Sequence, residues 1–120
     1  MSVLVYTENW DGKFKKLSNE LVSYASGVAG MIGGSVTALS IGNVDQDELS
    51  KLGAYGASTI LNVTGAPEGL DNQVYTAIIA AAMEKTGAKV LVIAQNNTGK
   101  AIATRLSVRL KAGQIGRAHV

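Results

Sequence analysis

The chain has 120 residues, 47% apolar and only 5% aromatic, with 11 basic against 9 acidic side chains and a net charge of +2. That is one domain's length, with a core to be built from Ala, Val, Leu and Ile. So balanced a charge gives no electrostatic footprint for nucleic acid or an anionic membrane, and the lack of cysteine removes disulfides, thiolate catalysis and zinc–thiolate sites.

Strands alternate with helices along the chain. Met1 leads directly into VLVY (residues 3–6), which reads as a buried strand; no basic region precedes it, so nothing marks a signal peptide. Residues 8–12 (ENWDG) have turn chemistry. Across residues 14–32 the apolar side chains Leu17, Leu21, Tyr24, Ala25, Val28 and Met31 or Ile32 recur at helical spacing, and Gly33 and Gly34 supply positive φ to stop the helix. SVTALSI (35–41) is a second strand. A short helix over 45–52 follows, with Asp45 and Glu48 spaced as in a capping box. TILNV (59–63) is a third strand, residues 64–70 are loop, and 71–85 form a helix capped by Asp71 and closed by Gly87. KVLVIA (89–94), apolar through its centre, is a fourth strand of the kind covered on both faces. Residues 98–111 make the last helix, striped by Ile102, Leu106 and Leu110. This order predicts a Rossmann-like three-layer α/β/α sandwich on a mainly parallel sheet, adenine nucleotide alpha-hydrolase-like, that should continue to further strands. No run approaches the roughly 20 apolar residues of a spanning helix, so membrane insertion is not expected.

Few residues carry chemistry. In an open α/β sheet ligands meet the carboxyl ends of the strands, which singles out the loop Gln95, Asn96, Asn97, Thr98, Gly99 and Lys100. Its polar side chains, a glycine and the helix start that follows suit an anion or a partner; the alternative reading is that Asn97 or Thr98 serves only as helix cap. A phosphate loop fails there, because Ala94 stands at its first glycine and Ala101 at its Ser/Thr position. Gly27, Gly30 and Gly33 imitate a dinucleotide fingerprint but fall within and after a helix, where they read as close packing on the sheet. Asp45, Asp47 and Glu48 read as helix-start acids, Trp10 as packing or a partner anchor, and Arg105 with Arg109 as a solvated or partner-facing edge. His119 is the sole histidine. No nucleophile–base pair and no metal set can be assembled, so neither catalytic nor metal-binding residues are expected.

The segments SVLVYTENWDGKFKKLSNELVSYA, GGSVTALSIGNV, LGAYGASTILNV and NNTGKAIATRLSVRLKAG, in this order, resemble the N-terminal domain of the electron transfer flavoprotein alpha subunit over residues 1–113. The resemblance implies an electron carrier, not an enzyme, in a cytoplasmic heterodimer with the beta subunit. It would relay electrons by FAD from flavin dehydrogenases, such as the acyl-CoA dehydrogenases of fatty acid beta-oxidation, to an acceptor such as a membrane quinone reductase. In that family FAD sits chiefly on a C-terminal domain, so no FAD-binding residue is transferred to this chain. The alternative is a nucleotide-binding module of the same fold, with AMP or ATP near residues 95–100.

Residues 114–120 (QIGRAHV) depart from the family, which continues into a strand of small and apolar residues; here there is neither alternation nor a helical stripe. IGRAHV is the translation of a common sequencing adapter, ATC GGA AGA GCA CAC GTC, and the preceding adapter bases AG complete a glutamine codon. The expectation is a biological fragment ending at Gly113 and a non-native tail, with the Ile102 stripe and one sheet edge left incompletely covered.

Overall fold

The computed structural model describes residues 2–10, 12–64, 72–94, 101–102 and 114–118, the side chains of Trp10, Asn72 and 114–118 excepted. In chain order the elements are β1 (Ser2–Tyr6), β2 (Asn9–Trp10), β3 (Lys13–Phe14), α1 (Lys16–Ile32), β4 (Ser35–Ile41), α2 (Gln46–Ala54), β5 (Thr59–Val63), α3 (Asn72–Thr86), β6 (Val90–Ala94) and β7 (Gln114–Ala118). β1, β4, β5, β6 and β7 form one parallel sheet in the spatial order β5-β4-β1-β6-β7. Strands added first on one side of β1 and then on the other define a doubly wound unit.

The VLVY run occupies the centre because it can bury both of its faces. Val3 pairs with Val36 and Val90, and Val5 with Ala38 and Val92. The pleat sends Leu4 and Tyr6 to one layer, with Leu39, Ile41, Ile79, Met83, Leu91 and Ile93. It sends Val3 and Val5 to the other, with Leu21, Val22, Ala25, Ala29 and Leu52. α3 therefore covers one face while α1 and α2 cover the opposite one, as the three-layer reading expects.

Several local expectations need correction. In α1 the buried stripe is Ser18, Leu21, Val22, Ala25 and Ala29, whereas Tyr24 and Met31 stand 47% and 80% exposed. Small Ala25 and Ala29 let the helix approach the sheet; a tyrosine in the stripe would hold it away. Gly27 and Gly30 do not serve close packing, since a Cβ at either would meet nothing within 4 Å. Of Gly33 and Gly34, Gly33 takes the left-handed conformation (φ 70°), and the N–H of Gly34 closes the helix on the carbonyl of Ala29 at 2.8 Å. Residues 8–12, read as a turn, overlap the β2–β3 hairpin, with Asn9 opposite Phe14 and Trp10 opposite Lys13, and Phe14, read as the helix start, belongs to β3.

The fifth strand is the larger difference. β7 pairs with β6 in register from Val90–Gln114 to Ala94–Ala118, in a segment without strand patterning. Ladder hydrogen bonds run between backbone groups, so a neighbouring strand can template an edge strand whatever its side chains. Ile102, expected to be partly uncovered, is fully buried beside α3 and β6; Leu106 and Leu110 lie outside the described residues.

Candidate functional site

The strand order changes direction between β1 and β6, so the crevice at the carboxyl ends of these strands is where this architecture meets ligands. On the β6 side the chain leaves the sheet at buried Ala94. The sequence-predicted loop residues Asn96, Asn97, Thr98, Gly99 and Lys100, with Gln95, lie outside the described residues, as do Arg105, Arg109 and His119. Of Trp10 only the backbone is described, in β2.

On the β1–β4–β5 side, three of the described polar side chains bond the backbone at the end of β4. Both the N–H and the hydroxyl of Thr7, just beyond β1, donate to the carbonyl of Leu39, each at 2.9 Å. Asn9 Nδ2 donates to the carbonyl of Ile41 at 2.8 Å, and Asn9 Oδ1 accepts from the N–H of Gly12 at 3.2 Å. Oriented by its surroundings, the Asn62 amide donates to the carbonyls of Gly42 (3.1 Å) and Ser40 (3.3 Å). Four successive carbonyls at the end of β4, from residues 39 to 42, thus each hold a donor from a neighbouring element. Backbone acceptors at a strand end need partners, and here this chain supplies them.

Tyr6 ends β1 almost fully buried, its ring edge-on to Tyr75 at 6.5 Å between centroids. Burial, reinforced by the charge of Glu8, pushes its phenol well above the ordinary value of 10.0. Tyr6 is a neutral wall residue and is not poised to lose a proton near neutrality.

At the start of α2, Asp45 occupies the N-cap position with extended backbone but makes no side-chain cap bond. Glu48 does not reach back as a capping box would. Its Oε2 instead accepts from the N–H of Phe14 at 3.1 Å and its Oε1 holds Lys51 Nζ. The Lys51 hydrogen bond first, then that from Phe14, lower the Glu48 carboxyl below its usual range, and Glu48 in turn raises Lys51. No group of three metal-ligating side chains occurs among the described residues, and no helix among them is long and apolar enough to cross a membrane.

Sequence reasoning missed Thr7, Asn9 and Asn62 as the groups that close this end of the sheet. The signal was present: a polar residue directly after VLVY, and an asparagine inside the otherwise apolar TILNV.

The fold is the α/β fold of universal stress proteins. A universal stress protein family member from Burkholderia pseudomallei superposes with a TM-score of 0.64 at 11% identity, covering 98% of this chain and 96% of that one. A universal stress protein solved in complex with cAMP gives 0.59 at 17% identity, with 98% and 96% covered. One from Archaeoglobus fulgidus, in complex with dAMP, gives 0.56 at 13%, again with 98% and 96% covered. At such identities the likeness is one of fold. A search of curated protein sequences returns no match. The electron transfer flavoprotein domain model matches residues 3–118, and the chain belongs to that family.

Proposed function

We propose that this chain serves as the N-terminal domain of an electron transfer flavoprotein alpha subunit, and that its own contribution is assembly with a beta subunit. In this reading FAD belongs to the parent subunit, held mainly by a C-terminal domain, and the complex carries electrons from flavin dehydrogenases, such as acyl-CoA dehydrogenases, to a downstream acceptor in the cytoplasm. The chain is then a carrier component without catalysis of its own. One observation supports the assembly role: Thr7, Asn9 and Asn62 are spent on the carbonyls of residues 39–42, so these three polar groups at the β1–β4–β5 end of the sheet are turned to the chain's own backbone. Co-expression with an electron transfer flavoprotein beta subunit tests it. A stable native complex is expected, and failure to co-purify counts against assembly.

A second reading, a module binding AMP or ATP near residues 95–100, is favoured by the nucleotide complexes of two structural neighbours. Calorimetry of the chain with AMP separates the two. Saturable stoichiometric heat supports the nucleotide module, and its absence at millimolar AMP supports assembly alone.

A further inference from the structure

The connection from β1 to α1 contains more than a turn. Two strands of two residues each cannot sustain a hairpin in water, yet β2–β3 is held at three points. Asn9 bonds the carbonyl of Ile41, and its Nδ2 also approaches Ser40 Oγ at 3.4 Å. Gly12, at φ 79°, lies so close to the segment after β4 that a Cβ would stand 2.7 Å from the Asn43 carbonyl oxygen. Phe14 donates its N–H to Glu48, 34 residues away on α2. The first two contacts lay the hairpin across the carboxyl end of β4; the third ties its returning strand to a different element.

We propose that the β2–β3 hairpin is a strap closed over the carboxyl end of β4, and that Glu48 is the latch that holds it shut. Glu48 is a positioning residue in this account. Lys51 fixes one carboxylate oxygen and leaves the other aimed at the Phe14 N–H. Release of that bond frees β3, and with it Asn9 can leave Ile41, uncovering acceptors that are otherwise closed off. The strap does not depend on which function is right, because it concerns access to this end of the sheet.

Amide hydrogen exchange on the full chain tests the latch. In Glu48→Ala the Phe14 amide and the hairpin amides should exchange about tenfold faster or more, while Val5 and Leu39 in the central sheet keep their protection. Glu48→Gln retains an amide oxygen that can accept from Phe14 and should restore most of the protection. Unchanged Phe14 exchange in Glu48→Ala overturns the proposal. So does a rise of equal size at Val5 and Leu39, which would mark general destabilisation. Should the alanine variant not fold, the glutamine variant decides alone: protection near the parent's supports the latch, and hairpin exchange as fast as in an unstructured peptide overturns it.

Discussion

Gly12 and Gly33 both take positive φ, at 79° and 70°, but their surroundings differ. A methyl group at Gly33 meets open space, while at Gly12 it meets the Asn43 carbonyl oxygen at 2.7 Å. Gly33→Ala should therefore cost only the left-handed conformation, about 1 kcal/mol, and Gly12→Ala about 2–3 kcal/mol, read as a larger fall in urea midpoint. Tyr6 gives a pH-dependent prediction. Its folded-state phenol titrates above the unfolded value of 10.0, so above that pH the unfolded chain has lost a proton that the native chain keeps. Stability is then fully present below pH 10 and falls as pH rises further. Tyr6→Phe should flatten that alkaline decline in a denaturation series by one proton's slope; an unchanged slope would mean that Tyr6 is not buried as described. The glycine of the Asp-Gly turn was legible as a turn residue in sequence. Its approach to Asn43 was not, since that depends on a partner 31 positions away.

At the level of elements, periodicity located each described helix within about two residues, but not always the face it buries. Tyr24 and Met31 fit helical spacing as well as Val22 and Ala29 do. The choice falls to the residues small enough, or shaped, to seat against β1, β4 and β6. Truncation separates the two faces: Leu21→Ala should lower stability by about 2–5 kcal/mol, whereas Tyr24→Ala should stay within about 0.5 kcal/mol, both from equilibrium unfolding. Glu48 illustrates a different limit. Its spacing from Asp45 satisfies a capping pattern, but the Phe14 N–H across the chain competes for the same carboxylate and wins. A local motif cannot anticipate a long-range donor. Asn9 and Asn62 share this property: the sequence marks Asn62 as a polar residue in an apolar strand, but the β4 carbonyls that both serve appear only when the strands are brought together.

For the molecule as a whole, alternation of apolar runs with helical stripes was enough to predict a parallel three-layer sandwich, because strands buried on both faces and helices buried on one leave different periods in the sequence. The fifth strand escaped that logic, since its segment lacks strand patterning and its pairing with β6 is a backbone register. Family membership over residues 3–118 and the inward-turned polar groups at the end of β4 together support a domain that works by presenting surface to another subunit. The most direct test is native mass spectrometry of the chain co-expressed with an electron transfer flavoprotein beta subunit. The account predicts a one-to-one complex, and a chain that takes up no flavin by itself. A chain that stays unassociated beside a folded beta subunit, or that binds FAD stoichiometrically alone, would contradict it.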